Sequence, residues 1–211
     1  MRYGQVVITA GFTGLLSFIL LAVAIWTDYW YIIVDVNKPN CSCSDDLSSH
    51  SGLWRINEGA NMSSVIPSFT ANMSSLSEVE RHLLGLHKVV VIILPLSLVL
   101  LVFGWIFGLV SSLAGSPKLL AGAASYVLFC SIFTLSGVSI YIKYSNLAMV
   151  EFQHIVSPEN LARVNVSFGW SLTAAWLSYS MELATGLLLM LAARISQIKG
   201  RYDSGVAIAM L

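Results

Sequence analysis

Four apolar stretches dominate the hydrophobic pattern of the chain: Val6 to Trp26, Val89 to Leu113, Leu119 to Ile142 and Trp170 to Ala193. At about 1.5 Å of rise per residue, each is long enough as a helix to cross roughly 30 Å of hydrocarbon. Within them Glu182 is the only formal charge, while Arg2, Lys88, Lys118, Lys143 and Arg194 stand at or near the edges, where a long cation reaches water. The pattern predicts one domain: a span at 6–26, an extracellular loop at 27–88, a span at 89–113, a cytoplasmic loop at 114–118, a span at 119–142, a second extracellular loop at 143–169, a span at 170–193 and a cytoplasmic tail at 194–211. Pro95 leaves the Val91 carbonyl without its helical donor, so a kink is expected in the outer third of the second span.

The sides follow from the density of positive charge. Arg2, Lys118, Arg194, Lys199 and Arg201 lie in short segments, whereas Lys38, Arg55, Arg81, Lys88, Lys143 and Arg163 are spread over the two longer loops. The positive-inside bias therefore puts both termini in the cytoplasm. All four Asn-x-Ser sequons, Asn40-Cys41-Ser42, Asn61-Met62-Ser63, Asn72-Met73-Ser74 and Asn165-Val166-Ser167, fall in the loops assigned outside. Asn61 and Asn72 are the expected acceptors. Asn40, with a cysteine in its sequon, and Asn165, close to the fourth span, are the weaker two. Ala22-Val23-Ala24 resembles a signal-peptidase site, but the apolar run is longer than the roughly 7 to 15 residues of a signal peptide, so it reads as a retained anchor.

Outside the spans the pattern changes period. Tyr29 to Val34 is aromatic and β-branched, Gly52-Leu53-Trp54-Arg55-Ile56 reads as a second strand, and Val164-Asn165-Val166-Ser167-Phe168 alternates with period two. Lys38-Pro39-Asn40 and Ser42 to Ser51 read as turn material. A small sheet resting on a four-helix bundle is expected.

Composition narrows the class. Of 211 residues, 56% are hydrophobic and 10% charged, against about 25% charged in an ordinary soluble domain, which excludes a soluble enzyme. Eleven Lys/Arg balance eleven Asp/Glu, so no basic excess exists to hold nucleic acid. The two outer loops together carry a net acidic surface. No histidine pair has the one-turn spacing of a helical metal site, and no phosphate loop, nucleophile elbow or carboxylate dyad is present. Glu78 and His82 read as a solvated helix face. No catalytic residue, metal or cofactor is expected.

The chemistry that remains lies in the spans. An acid in mid-bilayer costs about 2.5 to 3.5 kcal/mol on insertion scales, so Glu182 must face protein or be protonated. Ala174, Ser178, Glu182 and Gly186 are spaced by four, placing Glu182 on a small-residue stripe. By depth, Ser17 and either Ser131 or Thr134 are its candidate hydrogen-bond partners. An internal bond that fixes packing is the first reading; a docking point for a channel partner, or proton sensing, is the alternative. Gly104, Gly108 and Ser112 form a similar small-residue surface, read as packing within the bundle before association with another protein.

Trp30, followed by Gly52-Leu53-Trp54 in a first outer loop between two spans, resembles the signature of the claudin, peripheral myelin protein and calcium-channel gamma-subunit superfamily. The resemblance implies a claudin-like membrane α-helical bundle of four transmembrane helices with a small extracellular antiparallel sheet. It implies a non-enzymatic plasma-membrane glycoprotein that associates laterally as an auxiliary, modulatory subunit of a channel or receptor. A claudin-type adhesion or junction component is the alternative, and self-association a further option. The superfamily staples its first loop with two cysteines shortly after Gly-Leu-Trp; here Asn57 stands at the first of these positions and Ile56 to Phe69 hold no cysteine. Cys41 and Cys43 are too close in sequence to bridge each other without strain, leaving an intermolecular disulfide or free thiols. Cys130 reads as a small buried apolar residue. The ending Ala209-Met210-Leu211 reads as an unstructured tail rather than a ligand for strand addition.

Overall fold

A computed structural model describes residues 3–35, 49–58, 62–66, 77–155 and 164–209 of the 211-residue chain. Among these residues lie four helices, α1 (Tyr3–Trp26), α2 (Glu78–Leu113), α3 (Pro117–Ile155) and α4 (Trp170–Ala209), and five strands, β1 (Tyr31–Asp35), β2 (Ser49–Ser51), β3 (Arg55–Glu58), β4 (Met62–Val65) and β5 (Val164–Phe168). All four helices are long and apolar enough to cross a membrane. This is a multi-pass membrane protein with one small antiparallel sheet.

Local chemistry explains why the helices outrun their apolar stretches. α2 starts at Glu78 rather than Val89 because Ser77 and Glu80 form a reciprocal capping box: the Ser77 N–H donates to Glu80 Oε2 at 2.9 Å and the Glu80 N–H to Ser77 Oγ at 3.3 Å. α2 runs unbroken through Pro95 and ends before Gly115, whose φ of 61° is the left-handed conformation that stops helices. Pro117 then opens α3 in the one helical turn where its missing N–H is harmless. Beyond Ile142, α3 continues because Tyr141, Tyr144, Ser145, Ala148 and Met149 form a stripe turned toward Tyr31, Ile33 and Val166 of the sheet across a cavity of about 270 Å³. α4 likewise continues to Ala209, so the segment expected as a cytoplasmic tail at 194–211 is helical to that point, while Met210 and Leu211 of the ending read as unstructured lie outside the described residues.

The fold divides into two compact units. The first comprises Met1–Leu21, Leu96–Thr134 and Leu177–Leu211. Its core packs Val6 and Ala10 of α1, Leu120, Ala124 and Val127 of α3, and Leu189, Ala192 and Ala193 of α4. The small side chains let backbones approach: a Cβ on Gly186 would lie 2.6 Å from Leu128, and one on Gly104 3.1 Å from Tyr126.

The second unit comprises Ala22–Pro95 and Leu135–Trp176 and contains the sheet. The strand order is β4-β3-β2-β1-β5, with every neighbouring pair antiparallel. β5 pairs along the whole of β1, from Tyr31↔Phe168 to Asp35↔Val164, so the second outer loop does add a strand to the sheet of the first. Three details differ from the sequence expectation. Gly52-Leu53-Trp54 is the turn between β2 and β3 rather than strand, because the Gly52 N–H closes onto the Arg55 carbonyl at 2.8 Å and a Cβ there would overlap Asp28. Ser49–Ser51, read as turn material, is β2, and β4 was not foreseen.

The junction of β5 with α4 is tied to the start of β1: the Gly169 N–H donates to Trp30 O at 3.0 Å and the Ser171 N–H to Tyr29 O at 3.2 Å. A Cβ on Gly169 would overlap the Tyr29 carbonyl. Because that obstacle is backbone, Gly169→Ala is expected to destabilise the sheet by more than about 2 kcal/mol, read as a lowered thermal midpoint of the intact protein in mild detergent.

Candidate functional site

α1 ends at Trp26, and the last carbonyls of a helix have no intrahelical donor. Here each of the three before Trp26 is met by a named group. Val23 O accepts from the Thr27 N–H at 3.0 Å and from Thr27 Oγ1 at 2.7 Å. Ala24 O accepts from the Trp30 indole Nε1 at 2.7 Å, and Ile25 O from the Trp54 indole at 3.1 Å. The two signature tryptophans are therefore helix caps brought from the start of β1 and from the β2–β3 turn. Trp30 is completely buried, with its ring tilted on Tyr141 at 4.6 Å, whereas Trp54 is 41% exposed. Leu53, also fully buried, fills the space between them in sequence, and the buried His87 ring of α2 hydrogen-bonds to the Leu53 backbone. Thr27 and Ser171 meet at 2.8 Å, joining the end of α1 to the start of α4.

At the position where the superfamily resemblance implies a disulfide, the cross-strand pair His50↔Asn57 carries a hydrogen bond of 3.0 Å between Asn57 Nδ2 and His50 Nε2. The His50 ring also stacks on Tyr29, with ring centroids 4.5 Å apart and an interplanar angle of 3°. A polar and aromatic chain, Tyr29 to His50 to Asn57, thus links the segment before β1 to β2 and β3.

Within the first unit a second constellation joins three helices. Thr134 Oγ1 of α3 lies 3.0 Å from both oxygens of the fully buried Glu182 of α4, and Ser178 Oγ lies 3.5 Å from one of them. Ser17 of α1 and Ser178 face each other at 3.0 Å, and each hydroxyl also reaches the other residue's backbone carbonyl. Thr13 and Thr185 meet at 2.8 Å. Of the expected partners, Thr134 reaches Glu182 directly, Ser17 reaches it through Ser178, and Ser131 instead bonds the Leu128 carbonyl of its own helix. The Thr13–Thr185 pair was missed, although Thr13 lies one turn from Ser17 and Thr185 three residues from Glu182, on the same faces.

Gly104 packs on Tyr126 and Gly108 approaches Leu189, both inside the first unit. Together with Gly11 and Gly14 of α1 they line a small apolar pocket of about 50 Å³ that Glu182 and Thr185 also border. Asn165 is a residue of β5, opposite Val34, while Asn40, Asn61, Asn72, Cys41 and Cys43 lie outside the described residues. Cys130 is a buried free thiol. Among the described residues no group of three metal-ligating side chains occurs.

The sequence profile of the family described as PMP-22/EMP/MP20/Claudin tight junction matches residues 15–191. That interval holds both tryptophan caps, the whole sheet and, Thr13 apart, the Glu182 constellation.

Removing one indole donor while keeping an aromatic ring tests the capping role. Trp30→Phe is expected to cost about 1 to 3 kcal/mol, because it leaves the Ala24 carbonyl with only the long Thr27 Oγ1 contact of 3.4 Å, and Trp54→Phe less, because water reaches that site; thermal unfolding in mild detergent measures both. Glu182→Gln, which keeps an acceptor for Thr134, is expected to leave surface expression unchanged. Glu182→Leu is expected to lower stability by about 1 kcal/mol.

Proposed function

The chain belongs to the PMP-22/EMP/MP20/claudin family, and from that premise we propose that it works as a laterally associating auxiliary subunit of a membrane channel or receptor. Family membership carries the coarser part: a tetraspan, non-enzymatic membrane protein that acts by protein association. The finer part is supported by one observation. Along α2, Leu96, Val99, Phe103, Ile106, Val110 and Leu113 are all exposed, and their spacing alternates three and four residues. That is the spacing of a seam that takes a second helix by knobs-into-holes packing. The polar groups of the bundle described above are bonded to one another, so this apolar seam is what the first unit offers outward.

The partner is a transmembrane helix of the channel or receptor, seated on that seam, with the outer sheet touching the partner's extracellular part. The protein resides in the plasma membrane with both termini cytoplasmic, its loops glycosylated at Asn61 and Asn72, and more weakly at Asn40 and Asn165. Cys41 and Cys43 are available for a bridge to another chain. Within the family, Thr27 to Ile32, Leu47 to Arg55, Leu94 to Leu98, Gly137 to Ile142 and Val166 to Ser171 resemble the corresponding segments of transmembrane proteins 235 and 114, more so the first, and we place the chain beside them. The competing reading is a junction component whose loops meet between cells.

Affinity purification from mild detergent with mass spectrometry, alongside imaging of contacting cells, decides between them. A channel or receptor subunit should co-purify with the native protein and with Glu182→Gln, and should be lost when Phe103, Ile106 and Val110 are all replaced by Ala. Enrichment at cell contacts without any such subunit would establish the junction reading instead.

A further inference from the structure

The cavity of about 270 Å³ between the sheet and the outer part of α3 lies wholly within the second unit. Folded interiors hold few voids larger than one water molecule. A space this large needs an occupant, either a cluster of waters or a ligand. Its wall on the sheet is a single face, fixed by the strand register. In one row Tyr31 pairs with Ser51 and Ser51 with Ile56; in the next, Ile33 pairs with Ser49 on one side and Val166 on the other. Residues two apart along a strand share a face, so both rows turn toward the same space and line it. The opposite wall is α3, where Tyr141, Tyr144 and Ser145 stand one turn before Ala148 and Met149.

The lining is graded. Trp30, just before β1, packs on Tyr141 at 4.6 Å, and both β1 and the outer part of α3 lead away from that contact. The inner end therefore gathers the hydroxyls of Tyr31, Ser51, Tyr141, Tyr144 and Ser145, with the Tyr141 side chain hydrogen-bonded to Ser145. The outer end is walled by Ile33, Val166, Ala148 and Met149, beside Ser49. From Tyr141 to Met149 the helix rises about 12 Å. No charged side chain occurs among the described residues of the lining. An ion taken into such a space loses its hydration without gaining an opposite charge, so the lining selects an uncharged molecule. Phenol and serine hydroxyls both donate and accept, which suits a hydroxyl or a carbonyl at the inner end, and the apolar walls suit a rigid apolar body at the outer end. The order of polarity also sets the ligand apart from a bilayer lipid. Here the hydroxyls lie nearest the apolar stretch of α3 and the apolar groups farther from it, whereas a lipid of the adjoining leaflet carries its polar end outermost.

We propose that this cavity is a binding site for a compact, uncharged amphiphile of steroid-like build, seated with its hydroxyl or carbonyl among Tyr31, Tyr141 and Tyr144 and its apolar body toward Met149. The site is built from the second unit alone and does not depend on the auxiliary-subunit reading.

Photolabelling of the full-length protein in lipid nanodiscs tests the site. The probe is a photoreactive steroid enone carrying an alkyne handle, and mass spectrometry identifies the labelled peptide. Ala148→Trp fills the apolar end. Tyr31→Phe with Tyr144→Phe removes two hydroxyls and keeps the rings that pack on Phe168 and His87, so this pair decides the outcome even where the Trp variant fails to fold; the thermal midpoint of each preparation reports folding. The native protein should be labelled within β1 or residues 141–149, excess unlabelled steroid should compete, and the Phe pair should lose labelling several-fold at an unchanged midpoint, as should a folded Ala148→Trp. Labelling confined to other helix surfaces, or undiminished in the Phe pair, overturns the proposal and leaves the cavity to water. A separate arm uses photoreactive cholesterol, which has the same ring system and a long tail. Stronger labelling of this cavity by cholesterol than by the steroid assigns it to a bilayer lipid and overturns the proposal; weaker labelling supports it.

Discussion

The end of α1 is the point on which the second unit depends. A helix leaving hydrocarbon presents its final carbonyls where bulk water is scarce, and each one left unmet costs on the order of 1 to 3 kcal/mol. The chain meets two of them with indole N–H groups from Trp30 and Trp54. A tryptophan suits this position because its donor sits on a large apolar body, so the hydrogen bond and the burial are made by one side chain. Satisfying Ala24 with Trp30 fixes where β1 begins. Satisfying Ile25 with Trp54 requires the β2–β3 turn to fold back over the helix end, which needs a residue without Cβ against Asp28, namely Gly52. The Trp and Gly-Leu-Trp pattern is thus one device for closing a helix and seating a sheet with the same atoms.

The polar constellation around Glu182 solves the corresponding problem within the bundle. Apolar side chains give helices little reason to choose one another in lipid, because lipid tails are equally apolar. Hydroxyls on α1, α3 and α4 supply the choice: Thr134 selects the face of α4 that carries Glu182, and the mutual Ser17–Ser178 contact sets α1 against the same face one turn away. Glycines at 14, 104 and 186 bring the backbones close enough for these short side chains to meet.

Much of this was legible in the residues. The four helices, the alternation of β5 and the inward direction of Glu182 each follow from a period or a charge strong enough to stand alone. What was harder to read has physical causes. The start of α2 was hidden because a capping box is made of two polar residues, Ser77 and Glu80, lying in a segment that looked like loop by hydropathy. The extension of α3 was hidden because its stripe uses Tyr141, Tyr144 and Ser145 beside Ala148 and Met149, residues that satisfy a sheet as well as lipid. β2 and β4 are three and four residues long and rich in serine, so their pairing comes from neighbours rather than from local propensity. The His50–Asn57 contact is invisible until the strands are paired, because the two residues lie on either side of the Gly52-Leu53-Trp54 turn.

The partnership of β1 with β5 also orders the events of synthesis. β1 follows directly after α1, yet the strand that flanks it is made only after α2 and α3, immediately before α4. Until then the outer side of Tyr31-Ile32-Ile33-Val34 is open, and the most hydrophobic strand of the sheet has one neighbour instead of two. Completion of the sheet is therefore a sign that α3 has been made and that the segment leading into α4 has followed it, which makes the sheet a reporter of chain synthesis up to that point.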